Sequence, residues 1–178
     1  MRKLKNEELG RMDLEGFKNA EKNRIVIVLD NIRSMNNVGS AFRTADAFLI
    51  EKIYLCGITA TPPHREINKT ALGATESVDW EYMENTLDAI SQLKAKGYQI
   101  ISIEQAENSE MLHQFLPLDS EKYAIVFGNE VFGVEQKVVS GSDKVIEIPQ
   151  YGTKHSLNIS VSIGVVIWDF LGKMGKLN

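Results

Sequence analysis

Residues 24–45 read RIVIVLDNIRSMNNVGSAFRTA, and this stretch decides the expected fold. Its first part, Arg24–Asp30, is a continuous apolar and β-branched run, which is typical of a strand that is covered on both faces. The pattern predicts a loop over Asn31–Asn36 and then a helix from about Asn37 to Leu49, with Asn37 as its N-cap. A buried strand that leads through a loop into a helix is the unit of a parallel α/β sheet.

The same alternation of apolar runs and helical patterns continues along the 178 residues. It predicts an α/β fold with a mostly parallel sheet and helices on both faces. Further strands are expected at Lys52–Gly57, Val78–Tyr82, Tyr98–Glu104, Tyr123–Phe127 and Lys144–Ile148. Further helices are expected at Asn85–Gly97, Ser109–Phe115, a short segment that ends near Gly141, and Leu157–Gly172.

A charged segment with loosely spaced apolar residues precedes the first strand and predicts a helix over residues 4–22. Residues 1–24 are therefore expected to form a short helical extension. No repeat, low-complexity segment or Pro/Gly/Ser-rich linker interrupts the sequence. Residues 1–178 are accordingly expected to form a single domain.

The net charge of −4 is unevenly distributed along the chain. Residues 71–120 hold two Lys/Arg against nine Asp/Glu, whereas residues 1–24 hold seven against five and residues 31–70 hold five against three. A polyanion could therefore approach the N-terminal third. This distribution permits RNA as a partner without indicating it.

Two further features bear on the cellular setting. No window approaches eighteen apolar residues, and the basic N-terminus is not followed by an apolar segment, so no membrane partner and no secretory signal are expected. A single cysteine, Cys56, cannot form an intramolecular disulfide. Its presence fits the reducing cytoplasm, where we expect the protein to work.

Three loops with unusual sequences could carry chemistry: residues 31–43, 128–134 and 149–158. Each follows a predicted strand, so all three should lie at the edge of the sheet where parallel α/β folds bind their ligands. No Gly-x-Gly-x-x-Gly follows any strand, which argues against a dinucleotide site. The three histidines are far apart, and no Cys/His spacing indicates a metal site, so no metal is expected.

Each loop also has an ordinary structural reading. Asn37, Gly39 and Arg43 could belong to a capped helix with a solvated arginine. Gly128 and Gly133 could serve a tight turn from strand to helix rather than a backbone-lined pocket. Ser156 or Asn158 could be the N-cap of the last helix. The small residues that follow, at 160, 162 and 164, would allow close approach of another segment or of a second subunit.

Taken together and in this order, the three loops resemble the motifs of the SpoU/TrmH family of the SPOUT superfamily. The first motif is matched by Asn37, Gly39 and Arg43, and the second, a Gly-x-Glu after an apolar strand, by Gly128 and Glu130. The third, Ile-Pro followed by Ser-Leu-Asn, is matched by residues 148–149 and 156–158. Two departures concern substrate preference: Asn129 replaces a small Ser or Thr, and residues 151–155 have no counterpart in the motif.

The resemblance implies an RNA ribose 2′-O-methyltransferase that uses S-adenosylmethionine. It further implies a C-terminal trefoil knot and a homodimer, with the methyl donor bound in the knot near the subunit interface. The donor would be held by the loops around Gly128, Ile148 and Leu157. The residues that the resemblance assigns to catalysis are Asn37, Arg43, Glu130, Ser156 and Asn158.

The expected roles of these residues follow from their chemistry. A guanidinium is almost always protonated, so Arg43, from its own or the partner subunit, is expected to hold a phosphate and to stabilise a developing alkoxide. Proton acceptance by Arg43 is the secondary interpretation. Asn37, Ser156 and Asn158 would position the ribose or support Arg43. Glu130 would orient Arg43 or brace the dimer.

Two alternatives stay open at this point. One is a SPOUT enzyme that methylates an RNA base, against which Arg43 favours the ribose. The other is a SPOUT module that binds RNA without catalysis, against which the complete set of motif residues argues. With no large N-terminal RNA-binding domain in the sequence, tRNA is favoured over rRNA as the substrate.

Overall fold

The computed structural model describes residues 1–177, and within them the chain forms one seven-stranded sheet. The strand order is β3-β2-β1-β6-β4-β7-β5, and every neighbouring pair is parallel. The expected parallel α/β sheet is thereby confirmed. The strands are β1 Asn23–Asp30, β2 Ile50–Cys56, β3 Trp80–Met83, β4 Tyr98–Ile103, β5 Glu110–Met111, β6 Lys122–Phe127 and β7 Lys144–Glu147.

Helices cover both faces of the sheet. A 3-10 turn at Asn6–Leu9 precedes seven α-helices in the described part of the chain. These are α1 Leu14–Asn19, α2 Met35–Ala47, α3 Arg65–Ala71, α4 Ala74–Ser77, α5 Thr86–Ala95, α6 Gln136–Gly141 and α7 Ile159–Lys173. None of the helices within residues 1–177 is long and apolar enough to span a membrane.

The two-residue repeat of a strand divides the core into two layers. Ile25, Ile27 and Leu29 of β1 point to one face and pack in a cluster with apolar residues of α2, α3 and α7. Val26 and Val28 point to the other face, which α5 and α6 cover. The continuous apolar run of β1 therefore reflects burial on both faces.

The N-terminal segment departs from the sequence prediction. A continuous helix over residues 4–22 is wrong, because the chain is interrupted between the 3-10 turn and α1. Gly10 follows the turn in the left-handed conformation, with a φ of 59°. Asp13 then starts α1 anew by accepting a hydrogen bond from the backbone N–H of Gly16. The extension is thus helical only in two short pieces.

One other prediction of local structure is wrong, and two helices were missed. The helix expected at Ser109–Phe115 is instead the short strand β5, which pairs with β7 at the sheet edge. The backbone N–H of Leu112 continues this pairing by donating to Glu147 O at 2.8 Å. Pairing with a strand more than thirty residues away overrides the local preference. Helices α3 and α4 were not predicted at all.

Helix α3 packs directly on α2 and explains Gly39. A Cβ at Gly39 would lie 2.1 Å from Thr70 Oγ1 and 2.2 Å from the backbone O of Ile67. Any side chain at this position would therefore push the two helices apart. Gly39 therefore allows α2 and α3 to pack closely within the chain.

The cysteine has an ordinary structural role. Cys56 is fully buried at the end of β2. Burial raises the pKa of its thiol to about 12, so the thiol is protonated at neutral pH.

Candidate active site

A cleft of about 470 Å³ opens at the carboxyl edge of the sheet. The loops that follow β4, β6 and β7 form its walls, so the predicted clustering of the second and third motifs is confirmed. Its volume falls in the range of roughly 300–1,000 Å³ that is usual for small-molecule sites. The residues that line it are 103–105, 127–133, Ile148, Gln150, 155–159 and Ser162.

The loop after β6 folds back on itself and requires glycine at position 128. A Cβ on Gly128 would lie 2.1 Å from both Gly133 C and Val134 N. Asn129 and Gly133 exchange two backbone hydrogen bonds of 2.9 Å, which close the loop. Gly128 therefore shapes the backbone wall of the cleft.

Asn129 is a structural residue of this loop. Its Oδ1 accepts a hydrogen bond from the backbone N–H of Val131 at 2.9 Å, and its Nδ2 donates to Asn31 O at 2.7 Å. The amide carries its acceptor and its donors on two separate atoms, so Asn129 reaches both partners at once, which a shorter hydroxyl side chain does less readily. Asn129, which replaces the Ser or Thr of the family motif, thus links the loop after β6 to the loop after β1.

Glu130 anchors the first motif. Its carboxylate accepts hydrogen bonds of 3.0 Å from the backbone N–H groups of Arg33 and Ser34 and from Asn37 Nδ2. Partial burial raises the pKa of this carboxyl, but these hydrogen bonds outweigh burial and leave the pKa below its ordinary value. Glu130 is therefore ionised at neutral pH and acts as an acceptor.

A continuous chain of hydrogen bonds joins the three motifs. Asn37 donates to Glu130, and the Oδ1 of Asn37 accepts from Asn158 Nδ2 at 3.3 Å. Asn158 also caps α7 by accepting from the backbone N–H of Ser160 at 2.9 Å, as the sequence predicted for Ser156 or Asn158. The N-cap of α2 is Ser34, however, and the prediction of Asn37 as the cap is wrong.

Three further residues of the third motif belong to the lining of the cleft. Ile148, Ser156 and Leu157 all line it. Ser156 is exposed, and its hydroxyl makes no hydrogen bond within the part of the chain that the structure describes. That hydroxyl is available to a ligand.

Arg43 does not line the cleft of its own chain. It follows Asn37 by six residues, which places it about 9 Å further along α2 and about 120° around the helix. Its side chain is exposed and lines a second concavity of about 430 Å³ between α2 and α3, here called the recess. Glu130 makes no hydrogen bond or ion pair with Arg43 of the same chain within the described residues. That Glu130 orients an Arg43 from the partner subunit, or braces the dimer, stays a prediction. Asp46, another possible partner, accepts a hydrogen bond from Ser77 instead.

Several residues of both concavities escaped the sequence analysis. Glu104 lines the cleft and accepts hydrogen bonds of 2.8 Å from the backbone N–H groups of Val134 and Gln105. Glu104 ends a predicted strand, and this position at the carboxyl edge of the sheet could have indicated a residue of the site. Lys69 and Thr70 line the recess, but they belong to α3, which the sequence did not predict.

The lining of the cleft suits a cationic, partly apolar ligand. Glu104 and Glu130 contribute carboxylates, and no lysine or arginine is among the described residues that line it. Ile103, Phe127 and Ile148 add apolar surface. S-adenosylmethionine, which combines a positive sulfonium with an adenosine, fits this set of groups. No three His, Cys, Asp or Glu side chains of residues 1–177 come together so that they could hold a metal ion.

The chain is similar in sequence to known RNA methyltransferases. The 23S rRNA (guanosine-2′-O-)-methyltransferase RlmB of Neisseria meningitidis is 30% identical over 151 residues, which are 85% of this chain and 59% of that protein. The tRNA (guanosine(18)-2′-O)-methyltransferase of Aquifex aeolicus is 30% identical over 147 residues, 82% of this chain and 67% of that enzyme. The chain thus spans about three fifths to two thirds of these relatives.

Solved structures show the same fold. An AdoMet-bound rRNA methyltransferase from Sinorhizobium meliloti superposes with a TM-score of 0.79 at 24% identity, over 91% of this chain and 60% of that one. The TrmH/SpoU tRNA modifying enzyme of A. aeolicus gives 0.77 at 24% identity, over 92% and 79%. The model of the SpoU rRNA methylase family matches residues 24–168, and the chain therefore belongs to this family.

Proposed function

We propose that this protein is an S-adenosylmethionine-dependent RNA methyltransferase that modifies a ribose 2′-hydroxyl and works as a homodimer in the cytoplasm. The observation that carries the proposal is the chain of hydrogen bonds from Glu130 through Asn37 to Asn158, which draws the three family motifs together at one cleft. The names of the relatives, which are ribose 2′-O-methyltransferases of rRNA and tRNA, support this chemistry.

The cleft holds the methyl donor between its backbone walls. Gly128, Ile148 and Leu157 contribute the backbone and apolar contacts, and the carboxylates of Glu104 and Glu130 lower the energy of a positive charge nearby. When bound, S-adenosylmethionine supplies an electrophilic methyl group and a leaving group that becomes neutral. The reaction therefore needs no metal for the departure of that group.

The polar residues at the mouth of the cleft position the acceptor ribose. Glu130 fixes Asn37 Nδ2, so that the Oδ1 of Asn37 faces Asn158. The free hydroxyl of Ser156 then has room to exchange a hydrogen bond with the ribose. A ribose held in this way has lost the rotational freedom that would otherwise slow the transfer.

Arg43 stabilises the negative charge that develops on the 2′-oxygen, and it acts from the second subunit. A guanidinium stays protonated, so electrostatic stabilisation rather than proton acceptance suits it, and the proton of the 2′-hydroxyl leaves to water. Within its own chain Arg43 lies in the recess, away from the cleft. A second copy can bring it to the reacting hydroxyl.

The exposed face of α7 supports this dimer. Val161, Val165 and Trp168 are 51%, 40% and 60% exposed and lie on one stripe of the helix. No atom would lie within 4 Å of a Cβ on Gly164 between them. The stripe begins beside Ser162, which lines the cleft, and ends at Trp168, whose ring contacts Phe48 of the recess. Two such stripes packed about a two-fold axis bring each recess towards the other chain's cleft.

The dimer can be tested by its mass. Light scattering should give about twice the 20.0 kDa of one chain. Val165→Glu should give the mass of one chain and lose methyl transfer while keeping its circular dichroism spectrum. The matched control Leu116→Glu alters another exposed apolar residue and should stay dimeric. A fully active monomer would refute a site shared between subunits.

The chemistry is tested by mapping the product. Tritiated S-adenosylmethionine and bulk tRNA or rRNA should yield label in alkali-resistant dinucleotides, because a 2′-O-methyl group blocks alkaline cleavage. Of the two RNAs, we propose tRNA as the better substrate. Label in ordinary mononucleotides would identify a base methyltransferase. RNA binding with no transfer to either RNA would identify a non-catalytic module.

A further inference from the structure

The recess between α2 and α3 has the composition of an anion site. Ser40, Arg43, Thr44 and Ala47 fall on one face of α2 and form one wall, and Lys69 and Thr70 of α3 form the other. Among the described residues that line it there are two cations and no carboxylate. The recess is therefore positive, in a chain whose net charge is −4.

Most donors of this recess are free of strong partners within the described residues, although the hydroxyl of Thr70 donates to Asn36 O at 2.9 Å. Arg43, Ser40 and Thr44 make no side-chain hydrogen bond or ion pair to any residue among 1–177. Lys69 has one ion pair, 3.9 Å to Glu66, between side chains that are 70% and 43% exposed. Pairs of this kind contribute little, so Lys69 can exchange Glu66 for a better partner. A guanidinium, an ammonium and two hydroxyls thus converge on one open space.

We propose that the recess binds one phosphodiester of the substrate RNA and that Lys69 is a positioning residue shared with Arg43 at that phosphate. The inference rests on the proposed function for the identity of the anion. Arg43 offers a planar pair of donors and Lys69 a point charge, a combination that suits a tetrahedral anion approached from two sides. Lys69 acts before the chemical step, since it holds the RNA backbone and touches no reacting atom.

The test compares four variants in RNA binding and in methyl transfer. Lys69→Ala should raise KM for RNA about fivefold to tenfold, leave kcat within twofold and leave the Kd of S-adenosylmethionine unchanged. It should also reduce the slope of log Kd against log salt by about 1, as expected when one phosphate contact is lost. Lys69→Arg should restore KM, and Glu66→Gln, which frees Lys69, should lower it.

The control is Lys137→Ala, which removes an exposed lysine from α6 on the opposite face of the sheet. A Lys69→Ala variant that matches this control in KM and salt slope would overturn the proposal. A loss of kcat without a change in KM would also overturn it. The wild-type product analysis tests the proposed function separately. An inactive wild type whose RNA binding still depends on Lys69 would refute the methyltransferase function and leave the phosphate site standing.

Discussion

The cleft and the recess are concavities of similar size, about 470 and 430 Å³, but their chemistry is opposite. Among the described residues, the cleft has two carboxylates in its lining and no lysine or arginine, whereas the recess has two cations and no carboxylate. The polar groups of the cleft are largely engaged in hydrogen bonds that hold its loops, whereas Ser40, Arg43 and Thr44 of the recess have no side-chain partner among the described residues. The difference teaches that the proposed donor site and the proposed RNA site are separated by charge, so substitutions in the two places should have different effects.

The largest effect is expected at Arg43. Arg43→Ala should lower kcat by about two or more orders of magnitude, because it removes charge stabilisation in the transition state. The Kd of S-adenosylmethionine should barely change, since the proposed donor site is the cleft and Arg43 does not line it. Arg43→Lys should restore little, because an ammonium cannot reproduce the planar contact. Tritium transfer and calorimetry measure the two quantities. Near-normal turnover in Arg43→Ala would contradict ribose methylation by this mechanism.

Gly128 should show the opposite pattern. Gly128→Ala forces the Gly133–Val134 backbone away, which should weaken donor binding at least tenfold and cost about 1–3 kcal/mol of stability. RNA binding should be retained. The matched control is Gly152→Ala, because no atom lies within 4 Å of a Cβ at that position. Calorimetry and thermal melting distinguish the two variants. Unchanged donor affinity in Gly128→Ala would remove this loop from the donor site.

A smaller effect, about tenfold in turnover, is expected for either Asn37→Ala or Glu130→Ala. Each change breaks the same chain of hydrogen bonds, so the double variant should lose clearly less than the hundredfold expected of independent sites. The control is the double variant of Asn37→Ala and Lys137→Ala. Because Lys137 is not part of the hydrogen-bond chain, the losses in turnover of the two changes should simply add. Additive losses for Asn37 and Glu130 would show that the two side chains act independently.

The smallest effect concerns pH. Folding lowers the pKa of Glu130, so its carboxylate stabilises the folded chain above the ordinary glutamate pKa of 4.5. That contribution is lost as the pH falls below 4.5 towards the lowered pKa. Glu130→Gln should therefore reduce Tm at pH 7 more than at pH 4. An equal reduction at both pH values would mean that the charge of Glu130 does not matter for stability.

The sheet and the meeting of the motif loops could be predicted because they depend on local pattern. Apolar runs such as Ile25–Leu29 predict buried strands, and parallel strands end at one edge of the sheet. The cap Asn158 was also readable as one of two candidates, since it directly precedes its helix. Local pattern misplaced the start of α2, because Ser34 offers an equally good cap three residues before Asn37.

Contacts between distant segments could not be predicted. Nothing in the sequence near Glu130 shows that its partners are the backbone N–H groups of Arg33 and Ser34. The short helix α3 has too few residues for a clear periodic pattern, and the recess was missed with it. The distance of Arg43 from the cleft follows from helical geometry once α2 is placed. The C-terminal knot and the homodimer stay predictions.

The chain of hydrogen bonds at the cleft has a consequence for biosynthesis. Asn37 is 93 residues from Glu130 and 121 residues from Asn158 along the chain. Contacts of such long sequence separation form slowly, after the local helices and neighbouring strands. During translation, a nascent chain that ends before Asn158 can pair β1 with β2 and β6 but cannot complete this network. The network is therefore complete only once the segment that holds Asn158 has been made and α7, which Asn158 caps, has packed on the sheet.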